Sequence, residues 1–293
     1  MGDARIAVIG GSGFYQMDGL TEIEERRIAT PFGATSDAIV IGTLAGQRIA
    51  FLPRHGVGHR ITPSELPQRA NIWALKALGV EYIISVSAVG SLQEEIRPLD
   101  LVIPDQIIDR TRGRQSTFFG NGLVAHVAFA DPFCPSLSAA LVECARETGA
   151  RVHRGGTLIV MEGPAFSTRA ESGLYRQWGA SIIGMTALPE AKLAREAEIC
   201  YATLACVTDY DVWHETEADV TAEMIVNNLR RNVDVAKAIV RAVVQHLPAR
   251  DACPCPNALA TALVTAPEHV PERTRRDLAP IIGKYLPVEA RTV

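Results

Sequence analysis

Short β-rich runs alternate with helical patterns along almost the whole chain, and this alternation limits the fold more than any other feature. A chain so patterned buries its apolar surface by packing helices onto the faces of a sheet. The strand candidates are Ile6–Gly10, Asp37–Ile41, Gln47–Leu52, Tyr82–Val86, Asp100–Pro104, Thr157–Met161, Ser181–Gly184 and Tyr201–Val207. The second and third read as a hairpin, with Ala45-Gly46 supplying the turn. Helical spacing is clearest over Ala70–Leu78, Leu137–Thr148, Thr168–Trp178, Leu188–Ala197 and Thr221–Gln245. In the last, Ile225, Leu229, Val233, Ala236, Ile239 and Val243 fall on one stripe. The expected architecture is a three-layer αβα sandwich with a mixed β-sheet. It forms one domain, with a core over 5–247 and a helical tail over 248–293.

The 293 residues, 47% hydrophobic and 21% charged, suffice for a sizeable core. A net charge of −4 argues against nucleic-acid binding through the bulk surface but permits a local basic pocket for a small anion. No apolar run reaches the roughly 18 residues of a membrane span, and the first residues lack a basic segment followed by an apolar one. A cytoplasmic protein is expected. Its six cysteines are too sparse for a disulfide scaffold.

Three strand ends carry chemistry. The first strand runs into Gly10-Gly11-Ser12-Gly13, which lacks the third glycine of a dinucleotide fingerprint. Backbone N–H groups and the Ser12 hydroxyl around an anion fit it as well as a plain tight turn. Leu52-Pro53-Arg54-His55-Gly56 sets a permanent cation and an imidazole after an apolar run, and Ser85-Val86-Ser87-Ala88-Val89-Gly90-Ser91 ends a strand in small hydroxylic residues. Together they suggest an orthophosphate site, since arginine forks and serine hydroxyls complete phosphate shells. His55 and His59 are four apart, but Gly56 and Gly58 make a helix improbable there, so the pair does not read as a metal site.

Seven segments in series then become recognisable: ATPFGATSDAIVIG, LPRHGVGHR, QRANIWALKALG, SAVGSLQEEIRPLDLVIPDQIIDRT, MEGPAFSTRAES, GMTALPEAKLAREAEICYA and VTDYDVW. In order and spacing they resemble the 5′-methylthioadenosine phosphorylases of the purine nucleoside phosphorylase superfamily, over most of residues 5 to 247. The resemblance implies the nucleoside phosphorylase type of fold, and a homotrimer or a dimer of trimers with active sites at subunit contacts. It also implies the reaction of phosphate with 5′-methylthioadenosine to give adenine and 5-methylthioribose-1-phosphate. No cofactor is implied, inorganic phosphate being a co-substrate. Carried over position by position, phosphate would be held by Ser12, Arg54, His55, Ser87, Ala88 through its N–H, and Thr186. Met185 would contact the ribose, Phe166 and Ser167 the purine, and His126 the sugar's 5′ side from a neighbouring subunit. Ala222, Ile225 and Val226 would line the methylthio pocket.

The chemistry agrees with that assignment. Breaking an N-glycosidic bond passes through an oxocarbenium-like sugar, and bound phosphate can stabilise and then attack it without an enzyme nucleophile. The leaving adenine needs a proton at N7. Asp209 and Asp211, in Thr208-Asp209-Tyr210-Asp211, are the candidate acids. A carboxyl in a dry pocket beside a second carboxylate holds its proton to higher pH. Asp209 is assigned to N7 and Asp211 to N6, which favours a 6-aminopurine over a 6-oxopurine.

Rival readings are a phosphorylase of 5′-methylthioinosine or other 6-oxopurine nucleosides, a hydrolase using water, a nicotinamide enzyme led by Gly10–Gly13, and a non-catalytic module. Against the family pattern, Ala165 replaces a longer polar or basic residue, and Leu99 replaces a turn glycine. In heat-stable members C-terminal C-x-C pairs form disulfides, which the resemblance extends to Cys253 and Cys255. That pair has no partner C-x-x-C, which argues against zinc.

Overall fold

The structure, a computed structural model, describes residues 2–11, 17–214 and 221–287, without the side chains of Ala222, Met224, Ile225, Leu229 and Arg230. Eleven strands form one mixed sheet: β1 Ile6–Gly10, β2 Thr21–Arg26, β3 Ile39–Leu44, β4 Gln47–Pro53, β5 Tyr82–Ser91, β6 Leu101–Ile103, β7 Gln106–Arg110, β8 Val152–Arg154, β9 Thr157–Met161, β10 Ile182–Gly184 and β11 Cys200–Asp209. The larger helices are α1 Gln68–Ala77, α2 Pro135–Glu147, α3 Arg169–Gln177, α4 Ala187–Glu196 and α5 Ala222–Gln245.

Alternate side chains of the central strands enter two cores. Ala7, Ile9 and Ile83 pack with α1 and α4 on one face; Ile6, Val8, Tyr82 and Ile84 pack with α2 and α5 on the other. This period-two division makes three layers from one chain. The expected stripe on α5 is borne out at Ala236, Ile239 and Val243, all fully buried. The β3–β4 hairpin turns at Ala45 and Gly46, both at positive φ (49° and 78°), which only a left-handed pair achieves in so short a turn. Strands β2, β7 and β8 are not among the strand candidates of the sequence; they are short and lie largely exposed or half-buried, so their alternation is weak. The described part of the C-terminal segment, 248–287, is more closely joined than a tail suggests. Leu259, Ile281 and Ile282 enter the same core as α1, and the Trp73 indole donates to the Asp277 carbonyl at 2.8 Å.

Two features of β5 shape the site. It pairs in parallel with β1 as far as Ser85 and antiparallel with β10 only from Gly90, while β11 runs along its other edge. Among the described strands none covers that first edge over residues 86–89. Ser87 and Ala88 are the only residues of β5 that are not buried.

Candidate active site

The register brings the three strand ends together. Gly10 stands beside Pro53 on the neighbouring strand, the Arg54 amide donates to the Gly10 carbonyl at 2.9 Å, and β5 lies on the other side of β1. The open edge of β5 thus lies beside the described ends of β1 and β4. Ser12 lies outside the described residues.

Arg54 departs from its expected role as a bidentate fork for phosphate. It is 2% exposed, and its fork is occupied by Glu190, with Nε to Oε2 at 3.0 Å and Nη2 to Oε1 at 3.2 Å. The remaining bonds run to the Ser85 hydroxyl (2.7 Å) and to the carbonyls of Val86 and Ile9. A guanidinium so buried requires a counter-charge, and Glu190, itself fully buried and also bound by the Tyr201 hydroxyl at 2.8 Å, supplies it. Arg54 therefore orders the floor of the site, and among the described residues one Nη1 N–H of its five donors has no partner.

His55 is buried, and its Nδ1 meets the Ile61 carbonyl at 2.8 Å. A carbonyl only accepts, so Nδ1 carries the proton. Burial, reinforced by the Arg54 charge, pushes the imidazole pKa down to about 4. The ring is neutral, its Nε2 lone pair is an acceptor, and His59 stacks on it at 4.3 Å.

Helix α4 closes another side. Gly184 sits where a Cβ would be 3.3 Å from Val89 and 3.8 Å from the Ala88 carbonyl, so β10 delivers the residues that follow it directly to the open edge. Met185 is half-buried, and Thr186 is the N-cap of α4, its hydroxyl making no capping bond. Arg114 holds this turn by donating to the carbonyls of Met185 (2.7 Å) and Leu188 (2.8 Å) while pairing with Glu162. The 163–168 loop is fixed against it: a Cβ on Gly163, whose φ is +71°, would meet Met185 Sδ at 2.5 Å.

At the end of β11 the ladder shifts register between Val207 and Asp209. Two asparagines one turn apart on α5 reach carbonyls of this bulge: Asn228 donates to Thr208 at 2.7 Å, and Asn232 at 3.4 Å adds to the Leu99 amide that already bonds the Val207 carbonyl at 2.8 Å. The irregularity sets Asp209 opposite Gly90. Asp209 Oδ1 accepts from the Asp211 amide at 2.8 Å, and Oδ2 lies 2.7 Å from the Thr208 hydroxyl, which also reaches the Val89 carbonyl at 3.2 Å. Thr208 has one proton. Either it donates to an ionised Asp209, or it donates to Val89 and accepts from a protonated one. Both protonation states are satisfied without rearrangement. Burial raises the Asp209 pKa, aided by the Asp211 charge and opposed by the Thr208 and Asp211 hydrogen bonds.

Asp211 is 7% exposed and, at φ +52°, is turned back beneath Asp209. Burial raises its pKa too. Among the described residues, its Oδ2 and the Ser172 hydroxyl are both buried without a hydrogen-bond partner.

The structure brings together Arg54, His55, Ser87, Ala88, Met185, Thr186, Ser167, Asp209 and Asp211 from strand ends and helix starts. Phe166 is 41% exposed, Val226 is exposed on α5, and His126 is exposed on a loop whose amide bonds Ala262. The side chains of Ala222 and Ile225 lie outside the described residues. Sequence reasoning missed Glu190, Arg114, Asn228, Asn232 and Gly90. Only Glu190 left a trace: a carboxylate among apolar helix residues, to be expected wherever a buried arginine needs a partner.

A mixed sheet with an edge of β5 left uncovered and two buried carboxyls of raised pKa beyond it fits a phosphorolytic enzyme, and the chain belongs to the Phosphorylase superfamily, whose family model matches residues 5–245. It is 60% identical over 289 residues to the S-methyl-5'-thioadenosine phosphorylase of Gloeobacter violaceus, which covers 96% of each chain. Among solved structures it is similar to a methylthioadenosine phosphorylase from an antarctic soil metagenomic library (TM-score 0.91, 52% identity, 96% of this chain and 99% of that one). The methylthioadenosine phosphorylase of Schistosoma mansoni in complex with adenine is also similar (TM-score 0.80, 37% identity, 83% and 92%).

Proposed function

We propose that the chain catalyses phosphorolysis of S-methyl-5′-thioadenosine, releasing adenine and 5-methylthioribose-1-phosphate. The observation that carries this reading is the Thr208–Asp209–Asp211 arrangement, a buried acid built for both protonation states, beside the open edge of β5. Asp209 gives its proton to N7 as the glycosidic bond breaks, and Thr208 reverses its hydroxyl to stabilise the carboxylate left behind. Asp211 accepts from the exocyclic N6 amine, and it repels the O6 of a 6-oxopurine.

Phosphate sits at residues 86–89, held by the Ser87 hydroxyl, the Ala88 N–H, Thr186, the remaining Nη1 N–H of Arg54 and Ser12. Because Glu190 neutralises Arg54, hydrogen bonds rather than net charge hold the anion. Neutral His55 accepts from a phosphate O–H, which selects the monohydrogen form. The bound phosphate stabilises the oxocarbenium-like ribose against Met185 and then attacks C1′. Phe166 and Ser167 bind the purine, and Ala222, Ile225 and Val226 the methylthio group. The exposure of His126 fits a homotrimer in which it reaches the 5′ side of a neighbour's substrate.

The test is base release from 5′-methylthioadenosine with and without orthophosphate, with 5′-methylthioinosine alongside. Adenine released only with phosphate, and a shift towards the inosine analogue in Asp209→Asn, are expected. Release without phosphate refutes the anion site, and preference for the inosine substrate refutes the aspartate assignment.

A further inference from the structure

Four cysteines from three separate stretches of the sequence meet at one point away from the residues assigned to catalysis. The Sγ atoms of Cys134, Cys200, Cys253 and Cys255 all lie within 4.8 Å of one another, with Cys200 and Cys253 at 3.4 Å. We propose that these four thiolates form a structural zinc site that fastens the C-terminal segment to the sheet.

The donor set is that of a closed tetrahedral site. Zinc–sulfur bonds of about 2.3 Å give S···S edges of about 3.8 Å, inside the span already present. Each sulfur lies near the other three, as a central ion requires; a disulfide requires only pairs. The ligands come from elements fixed by the fold. Cys134 is the N-cap of α2, and its amide donates to the Tyr201 carbonyl at 2.8 Å; Cys200 opens β11, and its amide donates to the Glu81 carbonyl at 2.9 Å. Cys253 and Cys255 flank Pro254 in the segment that Tyr82 anchors through the Pro248 carbonyl. Three of the four cysteines are buried.

The surroundings are prepared for negative charge. Arg250 Nη1 lies 3.1 Å from Cys200 Sγ, while the guanidinium is held by the carbonyls of Glu81 (3.0 Å) and Glu198 (2.9 Å). A guanidinium aimed at sulfur suits a thiolate, and a disulfide sulfur carries no charge to answer it. The positive end of α2 at Cys134 acts in the same sense. Four thiolates around one dication leave a net charge of −2, so such compensation is needed. C-x-C spacing argued against zinc only while the pair stood alone. The fold supplies the other two ligands from residues 134 and 200.

The full-length protein, purified without a metal-affinity step, is assayed for zinc by plasma mass spectrometry and for free thiols in denaturant with chelator. One zinc per chain and six free thiols are expected. Cobalt(II) in place of zinc should give thiolate-to-cobalt charge-transfer bands and the d–d bands of a tetrahedral site. The Cys200→Ser, Cys253→Ser double variant should lose the metal, Cys144→Ala should retain it, and Arg250→Gln should weaken zinc binding about tenfold. Metal-free protein with two free thiols, hence two disulfides, overturns the proposal. So do six free thiols with no zinc retained after equimolar addition, and cobalt spectra without charge transfer.

Discussion

Replacing Gly90 by alanine adds one methyl group against the proposed acid and changes nothing else in the first instance. Gly90 has no positive φ that would bar alanine, so backbone strain does not enter. The new Cβ would stand 2.8 Å from Asp209 Oδ1, 3.2 Å from Ile183 Cγ2 and 3.4 Å from Asp211 Cβ. Ordinary contact begins near 3.4 Å, so the Asp209 carboxylate must yield by about 0.6 Å. Oδ1 is the atom that accepts from the Asp211 amide, so the movement also loosens that bond. Overpacking in a buried strand costs about 1–3 kcal/mol of stability. A displacement approaching 1 Å at a reacting group costs up to about 100-fold in rate. The expected result is kcat/KM for methylthioadenosine reduced by roughly 10- to 100-fold, with the KM for phosphate little changed. Adenine release at saturating phosphate measures the first, and a phosphate titration the second. A folded Gly90→Ala protein within threefold of the parent kcat/KM would refute the reasoning that packing against β5 sets the position of Asp209.

Four further outcomes follow from the same geometry. Glu190→Ala leaves the Arg54 guanidinium buried without its counter-charge and should cost about 3–5 kcal/mol, read by denaturant unfolding, with Glu190→Gln milder. His55, its pKa lowered from 6.5 to about 4, stays neutral in the folded chain while the unfolded chain takes up a proton, so its contribution is complete above pH 6.5. As pH falls to about 4 it should be lost, up to about 3 kcal/mol at 1.36 kcal/mol per unit, and His55→Asn should lack that part of the acid limb. Because the Asp209 pKa is raised, kcat/KM should fall as pH rises through it, and that limb should vanish in Asp209→Asn. Leu99 sits at φ +78°, where a glycine pays no steric penalty; Leu99→Gly should raise stability by roughly 0.5–1 kcal/mol, seen as a higher unfolding midpoint.

Sequence alone determined the elements and the chemical class. Strands β1 and β9 follow the expected bounds, because apolar runs closed by turn residues are local signals. The phosphate-compatible residues were legible for the same reason: they stand at strand ends, where a loop must follow. Tertiary structure alone decided which groups meet. Arg54 and Glu190 are 136 residues apart, and only the stacking of α4 against the β1–β4–β5 register makes them a pair and removes the arginine fork from phosphate. The bulge that seats Asp209 depends on asparagines a helix away, and no spacing within Thr208–Asp211 announces it. Of the four cysteines only Cys253 and Cys255 are linked locally, and Cys134 and Cys200 join them only when β11, α2 and the C-terminal segment converge. Periodicity is fixed by neighbours along the chain. Charge compensation and ligand geometry are fixed by neighbours in space, and those exist only once the sheet has chosen its register.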